Sequence, residues 1–103
     1  MTEFDFGDGN GLVAAHQHVN GGGWVADTAT VEHSAFVGAH ARVYGNAQVS
    51  GYARVSGNAW VSGDAQVSGN AQVSGDAQVY GDAQVYGNAQ VYGDAELTEG
   101  VTE

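Results

Sequence analysis

A six-residue unit is repeated without a break through much of the chain. From Ala47 to Gly93 the units read Ala-x-Val-x-Gly-Asn/Asp with few departures, as in the segment 77–82, Ala-Gln-Val-Tyr-Gly-Asp. Because side chains alternate along a strand, Ala and Val share one face and the residues at the x positions share the other. Gly followed by Asn or Asp turns a corner at low cost, since glycine accepts positive φ. Each unit is therefore predicted to be one short strand followed by one corner.

Three such units can close a triangular coil of eighteen residues, in which residue i stacks on residue i+18. One unit buries almost no apolar surface, so the stability must come from stacking coil on coil. Counting by six from Val13 gives an uninterrupted series of valines that ends in Leu97, fifteen positions in all. The sequence thus predicts an all-β fold, a single-stranded parallel β-helix shaped as a triangular prism of about five 18-residue coils.

The repeat divides the chain into four segments. Residues 1–11 are predicted to be an N-terminal cap or loop that covers the open end of the first coil, as terminal repeats require. Residues 12–28 are predicted to be a degenerate first coil, because the Ala slot reads Gly11, Gln17 and Gly23. Residues 29–97 are predicted to form the regular β-helix. Residues 98–103 form a tail that keeps the register but has no Gly-Asn/Asp corner.

The repeats resemble those of left-handed parallel β-helix proteins built from hexapeptide repeats, a superfamily that includes hexapeptide acyltransferases and γ-class carbonic anhydrases. The resemblance implies a left-handed coil and trimers in which three prisms pack side by side. The segment 11–25 is also similar to the one that precedes such arrays in bacterial and phage repeat proteins that look non-catalytic. Since scaffolds and enzymes share this repeat, the resemblance does not decide the activity.

Composition excludes several classes of partner. The chain has 103 residues, no Cys and no Lys, and its net charge is −10, with Arg42 and Arg54 as the only basic residues apart from histidine. Nothing in it would neutralise nucleic-acid phosphates or an acidic membrane surface, so neither is an expected partner. No apolar run approaches the length of a membrane helix, and the N-terminus does not read as a signal peptide. The expected location is the cytoplasm or a virion.

Two groups of aromatic residues are candidate interaction surfaces. The outward position after the core valine is Ser in the middle units and becomes Tyr at Tyr80, Tyr86 and Tyr92. Because successive units lie on successive faces, these three residues are predicted to form a belt around one coil, and tyrosine is common where proteins meet. A second group, Trp60 with Phe36 and Tyr44, is predicted to be a face for packing another subunit. The alternative for both groups is strand propensity on a half-exposed surface.

Histidines and acids are the candidate metal ligands. His33 and His40 occupy consecutive corners, and the resemblance to γ-class carbonic anhydrases implies a zinc site shared between subunits. Their spacing departs from that family, and no inserted loop interrupts residues 29–97 to form a pocket, so the sequence weighs against an enzyme. Stacked corner acids, Asp64 with Asp82 and Asp76 with Asp94, could attract weakly bound calcium, although two carboxylates do not complete a calcium site.

The function predicted from the sequence is that of a structural or assembly module. Its rigid rod would associate with copies of itself, first of all as a homotrimer, or dock on another protein in a larger complex. Two alternatives remain open. One is a metal-dependent or acyltransferase-like enzyme at a subunit interface, and the other is a glycan-binding surface formed by Trp60 and the tyrosines.

Overall fold

The computed structural model describes residues 3–6 and 11–102, and every regular element in them is a β-strand. No helix in this part of the chain is long and apolar enough to cross a membrane. The strands, in chain order, are β1 (Glu3–Asp5), β2 (Leu12–Gln17), β3 (Trp24–Ala26), β4 (Thr30–Val31), β5 (Phe36–Val37), β6 (Arg42–Val43), β7 (Gln48–Val49), β8 (Arg54–Val55), β9 (Trp60–Val61), β10 (Gln66–Val67), β11 (Gln72–Val73), β12 (Gln78–Val79), β13 (Gln84–Val85), β14 (Gln90–Val91), β15 (Glu96–Leu97) and β16 (Val101–Thr102).

From β3 onward each strand pairs in parallel with the strand three places along the chain. This pairing builds three sheets, with the orders β1-β2-β3-β6-β9-β12-β15 (first sheet), β4-β7-β10-β13-β16 (second sheet) and β5-β8-β11-β14 (third sheet). Except for β13 and β16, partners are eighteen residues apart, so that Gln66 lies between Gln48 and Gln84. The all-β fold of stacked parallel coils is therefore confirmed, with one sheet on each side of the coil.

Valine and alanine fill the interior, as the alternation predicts. Val67 is paired in register with Val49 on one side and with Val85 on the other, and all three are 0% exposed. The alanine two residues before each of these valines is buried as well. Three columns of stacked valines, one on each sheet, and the alanines beside them thus form the main apolar core, whose buried residues run from Val25 to Val91.

The corners are held by stacked glycines. Gly69 has φ +69, and the next residue, Asn70, donates its backbone N–H to the Gly87 carbonyl at 2.8 Å. A Cβ added at Gly69 would lie 3.0 Å from the Gly87 nitrogen, whereas one added at Gly93, with φ +67, would meet nothing within 4 Å. Glycine is therefore needed in the stack both for its backbone angle and for the close approach of the next coil.

Alanine substitutions should separate these two requirements. Gly93→Ala introduces only the strain of an alanine at positive φ, which should lower the free energy of unfolding by about 1–2 kcal/mol. Gly69→Ala meets the same φ and also crowds Gly87, so we expect its free energy of unfolding to fall further, which denaturant titration of both variants would measure. Equal losses at the two positions would show that the approach of the next coil contributes nothing.

About four coils are present. In the segment predicted to be a degenerate first coil, residues 12–28, only β3 pairs in parallel as part of the coils. The strand β2 is antiparallel to β3, and Val19, which the six-residue count places in the core, is 77% exposed. The reason lies in the segment 20–23, Asn-Gly-Gly-Gly, which reverses the chain with positive φ at Gly21 and Gly22. This segment also bonds to the edge of β5, where Gly23 N–H donates to the Val37 carbonyl at 2.9 Å.

The tail is one residue out of the predicted register. In β16, Val101 and not Thr102 is the partner of Gln84, so this last turn takes seventeen residues where the regular coils take eighteen. The Gly-Asn/Asp corner is replaced here by Thr98, Glu99 and Gly100, and the N–H of Asp82 donates to Thr98. The shortened corner explains the shift by one residue.

Candidate functional site

The N-terminal arm, which we define as residues 3–6 and β2, continues the first sheet beyond β3 and packs on the outward-facing aromatic residues of the first coils. It places two phenylalanines on outward-facing aromatic residues of the coils. Phe4 stacks on Trp24 with ring centroids 4.7 Å apart, and Phe6 stacks on Tyr44 at 4.9 Å. Phe6 is 0% exposed, and Trp60 packs against the same group. These five residues, the aromatic cluster, form a second small core outside the prism.

Arg42 joins the arm to the coils. Its Nη1 donates a hydrogen bond to the Phe6 carbonyl at 3.2 Å, and its Cζ lies 5.2 Å from the Phe4 ring centroid and 5.6 Å from that of Trp60. Such contacts between a guanidinium group and an aromatic face are attractive, by about 0.5–2 kcal/mol each. Among the described residues, no carboxylate forms an ion pair with Arg42. Most of its N–H donors are therefore available to other acceptors.

The predicted subunit-packing group of Trp60, Phe36 and Tyr44 is divided by the fold. Tyr44 is only 9% exposed and Trp60 is half-buried in the aromatic cluster, so the chain's own arm covers them and another subunit cannot use Tyr44 as a surface. Phe36 lies on the third sheet, where the Cζ of Arg54 is 5.9 Å from its ring centroid. The prediction of one shared face is therefore wrong. Not every outward-facing side chain of the coils is exposed, because the arm covers those of Tyr44 and Trp60.

The tyrosine belt is formed where the repeat places it. Tyr80, Tyr86 and Tyr92 directly follow β12, β13 and β14, which belong to the first, second and third sheets respectively. Tyr92 is 68% exposed, and the other two are half-buried. The belt therefore offers aromatic surface on each side of one coil, and its use as an interaction surface stays a prediction.

The two candidate zinc ligands are both exposed and lie at different corners. His33 lies in the turn between β4 and β5, and His40 lies in the turn between β5 and β6. Within the part of the chain that the structure describes, no three His, Cys, Asp or Glu side chains gather into a metal site. A zinc site would need ligands from further subunits, and it stays a prediction.

Side-chain amides form hydrogen bonds between stacked corners, and one of these bonds is made to a corner acid. Asn58 donates from Nδ2 to Asp76 Oδ1 at 3.4 Å, and Asn70 donates from Nδ2 to Asn88 Oδ1 at the same distance. These bonds run along the stack, between residues eighteen apart. Asp76 thus has an amide partner on the side away from Asp94, which leaves fewer of its oxygens for calcium, and that site too stays a prediction.

Sequence reasoning missed the side chains that hold the first coil in place. The corners of the first parallel coil, which follow β3 and β4, lack glycine. At these corners the hydroxyl groups of Thr28 and Ser34 donate to the carbonyls of Gly45 and Gly51. In the later coils a backbone N–H makes the corresponding bond to glycine. The signal was available, because Thr and Ser replace Asn or Asp only where the preceding residue is not glycine.

Two further histidines, His16 and His18, have structural partners. His18 is buried, at 5% exposure, and its Nε2–H donates to the Ala35 carbonyl at 2.8 Å, which anchors the reversal between β2 and β3 on the coil below. His16 Nδ1 lies 2.7 Å from Asp27 Oδ1, with both side chains about half exposed. No periodic pattern marks either contact, so the sequence alone did not reveal them.

The fold defines a protein of the parallel β-solenoid class. The repeat family described as YdcK beta solenoid repeat matches residues 41–57, 47–63, 53–69, 65–81, 71–87 and 83–95, which together span 41–95, or 55 of the 103 residues. The chain belongs to this family of β-solenoid repeats. No curated protein and no solved structure matches it at a significant level.

Proposed function

We propose that the protein is a structural assembly module, a short rigid rod that binds copies of itself or another protein through the tyrosine belt. The observation that carries the proposal is the uninterrupted stack from β3 to β15, in which no loop is inserted and every sixth residue belongs to the apolar core. These residues are buried except for Val31 and Leu97, which are partly buried. Such a stack presents flat faces and corners whose spacing is fixed by the backbone. Flat faces of fixed spacing suit the binding of an extended surface better than they suit catalysis, which needs a pocket.

The belt differs from the rest of the surface in chemistry. In the coil before it, the same outward positions carry serine, namely Ser62, Ser68 and Ser74. One coil earlier two of these columns have serine again, and the column of Tyr80 has Tyr44, which the arm covers. The change from serine to tyrosine adds an apolar ring with a polar tip on every side of the rod at one level. Tyrosine is enriched at protein interfaces because its ring buries a large area at a small cost in conformational entropy.

Three prisms packed side by side are the first arrangement that we propose. Each prism would then bury one or two of its three belt tyrosines against its neighbours, and the tyrosine on the outer side would remain for a partner. The left-handed coil and the relationship to the hexapeptide-repeat superfamily belong to the same proposal. They are supported by the six-residue period and by the eighteen-residue pairing of the strands.

Serine substitutions test the belt. Changing Tyr80, Tyr86 and Tyr92 together to serine gives the local sequence of the preceding coil, so the rod should fold as before. We expect the variant to lose self-association, which light scattering after size-exclusion chromatography would show as a fall to the mass of one chain. Tyr52→Ser is the matched control, because Tyr52 is 73% exposed at a corner outside the belt.

Two outcomes would contradict the proposal. One is a triple variant with the mass of the unchanged protein and undiminished capture of its partners. The other is an unchanged protein that stays a single chain at high concentration and binds no protein. A loss of mass in Tyr52→Ser alone would move the interface to that corner.

A further inference from the structure

A surface cavity of about 280 Å³ lies where the N-terminal arm meets the coils. Its lining includes Phe4, Trp24, Ala39, His40, Arg42 and Asn58, and we refer to it as the Arg42 pocket. The pocket is at the lower end of the size range of small-molecule sites. It brings together one of the two arginines of a chain with net charge −10 and two aromatic rings.

The guanidinium group of Arg42 is held in place but not neutralised. Its contacts are the Phe6 carbonyl and the rings of Phe4 and Trp60, and no carboxylate of the described residues pairs with it. A guanidinium has five N–H donors in one plane, and a carbonyl uses only part of them. A planar fork of donors that is oriented by neighbouring rings matches the two oxygens of a carboxylate.

The other walls supply the remaining chemistry. Phe4 and Trp24 stack on each other and border the cavity, which gives a ligand an apolar surface. The imidazole of His40 adds a polar group at the rim, and the Asn58 amide is already joined to Asp76. Another cavity, of about 260 Å³, includes Asp27 and Tyr44 in its lining, and none of the described residues that line it is basic. The chemistry of an anion site is thus found at the Arg42 pocket and not at this second cavity.

We propose that the Arg42 pocket binds small anions that carry a carboxylate next to a planar apolar group. The carboxylate would accept from the free N–H groups of Arg42, and the planar group would contact Phe4 and Trp24. The negative charge of the whole molecule opposes anions in general, so binding requires both parts of the ligand. This site is independent of the tyrosine belt, and its failure would leave the proposed function untouched.

Benzoate is the probe, with two partial ligands as controls. Titration followed by tryptophan fluorescence should show saturable binding of benzoate, because Trp24 lines the pocket and Trp60 contacts Arg42. Acetate has the charge without the ring and benzylamine has the ring with the opposite charge, so each should bind at least about tenfold more weakly. Equal binding of benzylamine and benzoate, or no saturable binding of benzoate, would overturn the proposal.

Substitutions locate the site. Arg42→Gln should weaken benzoate binding by about tenfold or more, whereas Arg54→Gln should leave it unchanged. Arg54 is the matched control because it also lies over an aromatic ring, that of Phe36, outside the pocket. Since Arg42→Gln also removes a contact to the arm, Ala39→Leu provides a second test, as it fills the exposed rim and leaves Arg42 in place. Unweakened binding in Ala39→Leu, with the arm still protected from hydrogen exchange, would place benzoate elsewhere.

Discussion

Val67→Asp is expected to abolish the cooperative unfolding of the rod. Val67 is 0% exposed and is stacked between Val49 and Val85 in the middle of the column, where the structure offers a carboxylate no partner. Burying an unpaired charge costs more than about 4 kcal/mol, a large part of the total stability of a domain of this size. Far-ultraviolet circular dichroism during heating would measure the result as a lost or greatly lowered transition.

The neighbouring residue provides the matched control. Gln66 is one position earlier in the same strand and is exposed, so Gln66→Asp introduces the same side chain on the opposite face. We expect a change of about 1 kcal/mol or less in the free energy of unfolding. Similar losses at the two positions would contradict the assignment of inner and outer faces on which the fold depends.

Phe6→Ala is expected to release the N-terminal arm from the coils. Phe6 is fully buried against Tyr44, and removing a buried phenylalanine ring costs about 3–5 kcal/mol. Because each coil of a solenoid is stabilised by its neighbours, the stack from β6 onward should remain folded while the arm opens. Hydrogen exchange should rise in β2, and tryptophan emission should shift to longer wavelength as Trp24 and Trp60 meet water.

Two control variants test whether the effect of Phe6→Ala comes from the loss of a buried ring. Tyr52→Ala removes an aromatic ring that is 73% exposed, and it should leave both measurements unchanged. Phe6→Leu keeps most of the apolar volume and should give an intermediate effect. Retained protection of β2 together with unshifted emission in Phe6→Ala would show that the aromatic cluster does not hold the arm.

The regular coils were predictable because their determinants are local. In each unit, alternation assigns Ala and Val to the inside and Gly to the corner, and these are the contacts that the structure contains around Val67 and Gly69. The period then fixes the neighbours, since a strand can pair in register only with the strand eighteen residues away. Nothing beyond composition and spacing was needed for this part.

The arm was not predictable in the same way. Val13 and Val19 continue the six-residue series, but the glycines that follow them allow a reversal, and hydrogen bonds then favour an antiparallel strand. The contacts of Phe6 with Tyr44 and Arg42 join residues about forty positions apart, and no sequence pattern predicts them. The Arg42 pocket depends on those contacts, and for that reason it could be found only in the folded chain.

The eighteen-residue pairing also determines which changes of length the rod can accept. Removing eighteen residues from the middle would delete one coil and leave every column of stacked residues intact. Tyr80 would therefore still lie in the same column as Tyr44. Removing six would also leave a closed helix, but everything downstream would rotate by one side of the prism, and Tyr86 would lie in that column instead. The number of units thus sets both the length of the rod and the side on which the downstream surface lies relative to the arm, and only whole coils change the length without changing that side.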